Sequence, residues 1–188
     1  MKTAVILSAR QDKDTEIPYP LKPYHKDICL MDRTIEALTA LDYKDIYLVV
    51  GGQAQMYHKY ASEHVHLVLN TDYKFTSSMG SLACAAPYIK EDFLLVEGDT
   101  FYEYNVLKAL SDTKNENCFA ITEESGSGDE AFVETKNGYI TKVSKDRHQI
   151  CNFEGELLGI VKISKQTFDR MMLKWKSSNN PYLNYEYL

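Results

Sequence analysis

The sequence predicts an α/β fold, with a mostly parallel mixed sheet between helices and an antiparallel β appendage in its second half. Three observations predict it. Short apolar runs ("AVIL", "IYLVV", "VHLVL", "FLLV") recur between residues 4 and 96. A run without polar alternation is the pattern of a strand buried on both faces, as parallel sheets require. Segments of helical spacing separate these runs, as βαβ crossovers demand. Beyond residue 117 the pattern changes to strands joined by turn signals.

The elements follow in order. Ala4–Leu7 is the first strand, and a polar, proline-bearing stretch runs from it to Asp27. From Leu30, the residues Met31, Ile35, Leu38 and Leu41 fall on one helical face, which predicts a helix of about three turns. "DIYLVVGG" is a second strand, stopped by Gly51 and Gly52. "QAQMYHKYASEH" reads as a second helix and "VHLVLN" as a third strand. "SSMGSLACAAPYI" reads as a third helix starting near Ser77 or Ser78, since serine caps N-termini well. "DFLLVEGD" is a fourth strand ending in acids. "CFAITEE" is a strand, and "AFVETKNGYITKVS" is a hairpin turning at Asn137-Gly138, a strong short-range hairpin signal. "GELLGIVKIS" is a further strand. "SKQTFDRMMLKWKSS" is a helix whose Phe168, Met171, Met172 and Trp175 make a core stripe. Four βα units followed by an antiparallel appendage place a nucleotide at the carboxyl ends of the parallel strands. The β element would then carry a second substrate.

At 188 residues, 44% of them hydrophobic and 26% charged, the chain suits one soluble domain with a real core. A formal net charge of −6 argues against a nucleic-acid surface, which needs a basic stripe. Cys29, Cys84, Cys118 and Cys151 lie far apart without zinc spacing, so reduced thiols in a cytoplasmic protein are expected. The apolar run after Lys2 is too short for a signal peptide, and no stretch reaches the roughly 20 apolar residues of a membrane span.

Several stretches could carry chemistry. "LLVEGDTFYE" brings Glu97 and Asp99 to a strand end, where strand alternation puts both on one side. Gly98 between them would let a ligand approach the backbone. Hard cations such as Mg2+ take oxygen ligands of this kind; solvated acids at a turn are the ordinary alternative. Lys22 in "YPLKPY" stands between prolines that restrict its backbone, and Arg10 stands just past the first strand. Both suit phosphates, and both suit an ordinary solvated loop. Gly51-Gly52 allow a sharp stop or a close approach to a base. Thr76, Ser77, Ser78 and Ser81 cluster hydroxyls at a helix start, for capping or for a phosphate. The tail "NNPYLNYEYL" groups Tyr182, Tyr185 and Tyr187 around Glu186, as an ammonium cage or as partial core.

Taken together, "MDRTIEALTALDYKDIYLVVGG", "NTDYKFTSSMGSLACA", "LLVEGDTFYE", "GYITKVSKD" and "GELLGIVKIS" resemble the nucleotidyltransferase superfamily that activates sugar phosphates and phosphocholine. The likeness is greatest to its phosphocholine cytidylyltransferase branch. The resemblance implies a Rossmann-like three-layer sandwich of the nucleotide-diphospho-sugar transferase type. It implies one domain over residues 1–188, with a nucleotide-binding half (1–112) and an acceptor-binding half (113–188). It implies Asp99 as the Mg2+ ligand, and Lys22, Arg10 and Asp99 as the catalytic set. Leu7, Ser8, Ala9, Arg10, Lys22, Gly51, Gly52, Ser78, Ser81 and Glu97 would meet the nucleotide. Tyr102, Tyr182, Tyr185 and Glu186 would meet the acceptor.

The expected partners are a nucleoside triphosphate, CTP favoured, and a small phosphorylated acceptor, with no nucleic acid and no membrane; a homodimer stays open. Two departures from the family pattern stand out. The family loop Leu-Ala-Ala-Gly-x-Gly-x-Arg is here Leu7-Ser8-Ala9 followed at once by Arg10, and the first glycine of the chain is Gly51. The loop's work would then fall on Arg10, Lys13 and Lys22, opposed by Asp12, Asp14 and Glu16. The family's second metal-binding Asp has no counterpart before Leu188, so a chain cut short of the family's C-terminus is expected. A GT-A glycosyltransferase and a non-catalytic nucleotide-binding domain are the alternatives.

Overall fold

The computed structural model describes residues 2–10 and 15–188. Lys13, Asp12 and Asp14 lie outside the described residues. The first strand, β1 (Lys2–Ser8), is the middle of the parallel part of the sheet. Its backbone pairs with β4 (Tyr43–Val50) on one edge and β6 (Phe93–Glu97) on the other, and β5 (Val65–Leu69) extends the sheet beyond β4. All three pairings are parallel.

The apolar runs have their cause in this arrangement. Alternate residues of β1 enter different cores, because side chains alternate across a strand. Ala4 and Ile6 join Met31 and Leu38 of α1 (Leu30–Ala40) and Leu107 of α3 (Tyr104–Asp112). Val5 and Leu7 join Met79 and Leu82 of α2 (Ser78–Ala85) and Phe168 and Met171 of α4 (Lys165–Ser178). A sheet with helices on both faces has no polar side to mark in sequence.

The antiparallel strands of the second half are present, as an extension of the parallel sheet. They continue the same sheet through β10 (Phe153–Ile163), which pairs antiparallel with β6 and carries β7 (Cys118–Thr122), β8 (Phe132–Lys136) and, through β8, β9 (Tyr139–Ser144). The hairpin turns where expected: Asn137 and Gly138 both have positive φ, 54° and 77°, as a type I′ turn needs. In mid-β10, Gly159 has φ +74°, and an added Cβ would sit 3.0 Å from the Glu97 carboxylate. Only glycine lets this strand pass so close beneath Glu97.

Three local expectations change. The stretch read as a second helix is a 3-10 segment, Ala54–Tyr60, in which only Tyr57 is fully buried; too little apolar surface faces the core to hold a longer α-helix. The sequence reading left out α3, whose buried stripe is the single pair Leu107 and Leu110. It also left out β2 (Pro23–His25) and β3 (Ile28–Cys29), a two-stranded ribbon outside the main sheet. No helix among the described residues is long and apolar enough to cross a membrane.

Gly51 shows how tightly the ends of β1 and β4 meet: a Cβ there would lie 2.4 Å from the Ala9 carbonyl oxygen and 2.6 Å from Tyr73 Cβ. Gly51→Ala should therefore cost about 3 kcal/mol or more, since backbone would have to move. At Gly138 nothing lies within 4 Å, so Gly138→Ala meets only left-handed strain, of about 1 kcal/mol. Urea denaturation of both variants checks the contrast, which equal losses would contradict.

Candidate active site

The carboxyl ends of β1 and β6 open into a cleft of about 890 Å³. Leu7, Ser8, Ala9 and Arg10 form its floor and one rim, and Glu97 and Asp99 descend from the end of β6. Thr76, Ser77, Ser78 and Ser81 stand along the start of α2. Tyr185 and Glu186 close another side from a 3-10 turn, Tyr185–Tyr187. The C-terminal segment is held there by the N–H of Tyr185, which donates to Ser78 Oγ at 3.1 Å, and by Pro181, whose carbonyl accepts from Ser77 N–H at 3.1 Å. Ser78 thus spends its hydroxyl on the wall of the cleft. Buried Asn70 donates to Thr76 Oγ1 and Ser81 Oγ, both at 3.1 Å, and fixes those hydroxyls.

Glu97, Asp99 and Glu186 set the electrostatics. Glu97 is half-buried, and burial together with the charges of Asp99 and Glu186 pushes its pKa up to about 7; a hydrogen bond from the Tyr185 hydroxyl only partly offsets this. Burial raises the Glu186 carboxyl too, against the pull of Lys145. The Tyr185 phenol is held well above its ordinary value by burial and then by the Glu97 and Glu186 charges. Across the cleft, Asp129 lies 2.5 Å from Lys145 Nζ and 3.9 Å from Arg10 Nη1. Burial works against the Lys145 ammonium, but its hydrogen bond to Asp129 and the Asp129 charge outweigh this and raise its pKa. Lys74 also lines the cleft. A cleft that holds clustered carboxylates together with cations suits a ligand that brings phosphates and a dication together.

Of the residues singled out in sequence, Leu7, Ser8, Ala9, Arg10, Ser78, Ser81, Glu97, Asp99, Tyr185 and Glu186 meet in this cleft. Lys22 does not line it. Its ammonium lies 5.8 Å from the centroid of the Tyr19 ring, and Tyr19 is the residue that faces the cleft. Gly51 and Gly52 do not line it either: they pack under Ala9, whose carbonyl accepts from Gly52 N–H at 3.3 Å. Gly98 serves the same end, because its N–H donates to the Leu7 carbonyl at 2.9 Å and a Cβ would crowd Ser8 Oγ. These glycines admit backbone, not ligand.

The acceptor-side expectation for Tyr102 is corrected. Tyr102 is 5% exposed, buried against α1, with its hydroxyl donating to Thr34 Oγ1 at 2.7 Å and its pKa pushed up to about 12 by burial. Tyr182 is 59% exposed and outside the cleft lining. Missed in sequence were Lys145, Lys74, Tyr73 and Asp129. Lys145 lay within the quoted "GYITKVSKD", yet only the pairing of β9 with β8, and of β8 with β10, brings it to the cleft.

No protein-family model matches the chain. Among solved structures, the inositol-1-phosphate CTP transferase from T. maritima superposes with a TM-score of 0.79 at 18% identity, over 98% of this chain and 78% of that one. The CTP:phosphocholine cytidylyltransferase from Streptococcus pneumoniae superposes with a TM-score of 0.74 at 15% identity, over 99% and 83%. This is the nucleotidyltransferase fold. By sequence, the CMP-5'-(3-aminopropyl)phosphonate synthase of Streptomyces rubellomurinus (strain ATCC 31215) is 28% identical over 99 residues. That match takes in 50% of this chain and only 16% of the relative's own length.

Two tests follow from this geometry. Tyr102→Phe removes one buried hydrogen bond, so it should cost about 1 kcal/mol of stability and leave ligand affinity in the cleft unchanged; a weakened affinity would return Tyr102 to the site. For Glu97, a folded pKa near 7 exceeds the unfolded value of 4.5, so the native state binds more protons. Stability is then present below pH 4.5 and lost as pH rises toward 7, by about 3 kcal/mol. Glu97→Gln should raise the Tm of the ligand-free protein at pH 8 and leave it nearly unchanged at pH 4.5. Equal shifts at the two pH values would contradict the coupling.

Proposed function

We propose that the chain is a nucleotidyltransferase that moves a nucleoside monophosphate, with CMP from CTP favoured, onto a small phosphorylated acceptor and releases pyrophosphate. The observation that carries this is the cleft at the ends of β1 and β6, where Glu97 and Asp99 face Arg10 and Lys145. CTP is favoured because relatives in sequence and in fold are described as CTP transferases, a cytidylyltransferase and a CMP-phosphonate synthase.

In the proposed reaction an acceptor phosphate or phosphonate oxygen attacks the α-phosphorus of CTP in line. A new P–O bond forms as the bond to the bridging oxygen breaks, and pyrophosphate leaves with that electron pair. No side chain acts as nucleophile. Arg10, Lys74 and Lys145 neutralise the triphosphate, and the fixed hydroxyls of Thr76 and Ser81 orient it. Asp129 must release Lys145 and Arg10 as phosphate enters. Glu186 faces the acceptor, and its carboxylate suits the ammonium of an amino-alcohol phosphate or aminophosphonate.

The residues also fit Mg2+. Among the described residues no group of three or more His, Cys, Asp or Glu is placed to hold a metal alone. That suits Mg2+, which commonly takes one or two carboxylates and completes its shell from substrate phosphates and water. Asp99 would hold it, with Glu97, whose pKa is raised first by burial and then by the Asp99 and Glu186 charges. When bound, the ion withdraws charge from the phosphoryl oxygens.

A second reading, nucleotide binding without turnover, is favoured by one observation: Lys22 lies outside the cleft lining. A pyrophosphate-release screen separates the two. It crosses CTP, UTP, ATP and GTP with phosphocholine, phosphoethanolamine, 2-aminoethylphosphonate and sugar 1-phosphates in Mg2+. Release is expected with CTP and an amino-alcohol acceptor, and Asp99→Asn should lose at least about tenfold, roughly 1.4 kcal/mol of barrier. CTP binding without release under every pairing would establish the second reading, and a fully active Asp99→Asn would remove Asp99 from the reaction.

A further inference from the structure

Phosphate loops are commonly glycine-rich because their backbone N–H groups must wrap an anion closely. No glycine occurs before Gly51 in this chain. The structure shows what stands in place of that intrinsic shape. The segment after β4 reaches the loop at three points. Gly52 N–H donates to the Ala9 carbonyl at 3.3 Å. The hydroxyls of Tyr57 and Ser8 lie 2.7 Å apart in a hydrogen bond, with Tyr57 fully buried and Ser8 6% exposed. Gln53 Nε2 donates to the Glu16 carbonyl at 2.6 Å. The first two hold the chain as it leaves β1, and the third holds it at Glu16. Gln53 itself has left-handed backbone, φ 59°, at the residue that precedes the 3-10 segment Ala54–Tyr60.

We propose that the segment Gly52–Tyr57 is a clamp for the glycine-free nucleotide loop, with Tyr57 and Gln53 as positioning residues that place Ser8, Ala9 and Arg10 for the triphosphate. The proposal rests on the nucleotidyltransferase reading for its ligand and on the three contacts for its geometry. Ser8 Oγ, which sequence offered to a phosphate, serves in the clamp. The backbone N–H groups and the Arg10 side chain remain for the anion. Tyr57 touches no substrate; it acts through Ser8.

The test compares wild type with Tyr57→Phe, Gln53→Ala, Ser8→Ala and the pair Tyr57→Phe/Ser8→Ala. Tyr57→Phe keeps the buried ring and removes one hydroxyl. Hydrogen exchange at the amides of Ala9, Arg10 and Glu16 should quicken by about tenfold in Tyr57→Phe and Gln53→Ala while β6 amides are unchanged. In steady-state assays the KM for CTP should rise by about fivefold or more, with kcat and the acceptor KM within about twofold. The double variant, with both partners removed, should regain thermal stability but stay as weak toward CTP as Tyr57→Phe, since the two hydroxyls act as one unit. Unchanged exchange at those amides overturns the clamp, and so does a fall in kcat and both affinities that simply tracks Tm. If wild type releases pyrophosphate with no pair of substrates, the nucleotidyltransferase reading falls, and the exchange measurement still decides the clamp.

Discussion

β1 is hydrogen-bonded along both edges and buried on both faces, and the cleft depends on that confinement. Parallel pairing to β4 and β6 fixes the height at which Leu7, Ser8 and Ala9 emerge from the sheet. The same pairing with β6 sets Leu7 beside Glu97. Floor and acidic wall are therefore placed by one ladder rather than by two loops that must find each other. Gly98 and Gly51 are the conditions of that closeness, since each lies against a carbonyl of the strand's outgoing end.

This confinement explains what was legible in the sequence. Strands buried on both faces read as bare apolar runs, so β1 and β6 could be found by composition alone, and β4 and the edge strand β5 by their apolar runs between helical segments. Asn137-Gly138 needs left-handed backbone at two successive residues, and so gave its turn away. Elements with small buried faces did not announce themselves: α3 buries little beyond Leu107 and Leu110, and the Tyr57 segment buries one side chain fully. For the cleft, the residues at strand ends (Ser8, Ala9, Arg10, Glu97, Asp99) were legible because topology alone assigns that position. Tyr102 misled because an aromatic near a strand end looks the same in sequence whether it faces the cleft or turns back onto α1. Lys145 and Asp129 flank the open end of the β8–β9 hairpin, and were invisible because only the pairing of β8 with β10 brings that end to the cleft.

The cleft stores unfavourable electrostatics. Three carboxylates share one side of it, and Glu97 is forced toward neutrality near pH 7. The resting protein places Asp129 between its cations. The carboxylate cluster disfavours the empty state and favours a ligand that brings positive charge, while Asp129 compensates the cations until phosphate replaces it. Exposed ion pairs such as Arg10–Asp129 stabilise little by themselves, so exchanging Asp129 for phosphate loses little.

The docking of residues 181–187 onto α2 has a practical corollary. Tyr185 is 3% exposed, sits in the core shared by α2 and α4, and donates its N–H to Ser78 Oγ, so this segment belongs to the core as much as to the cleft wall. A truncation ahead of Pro181 would expose apolar surface of α2 and α4, and its effect on binding could not be separated from its effect on folding.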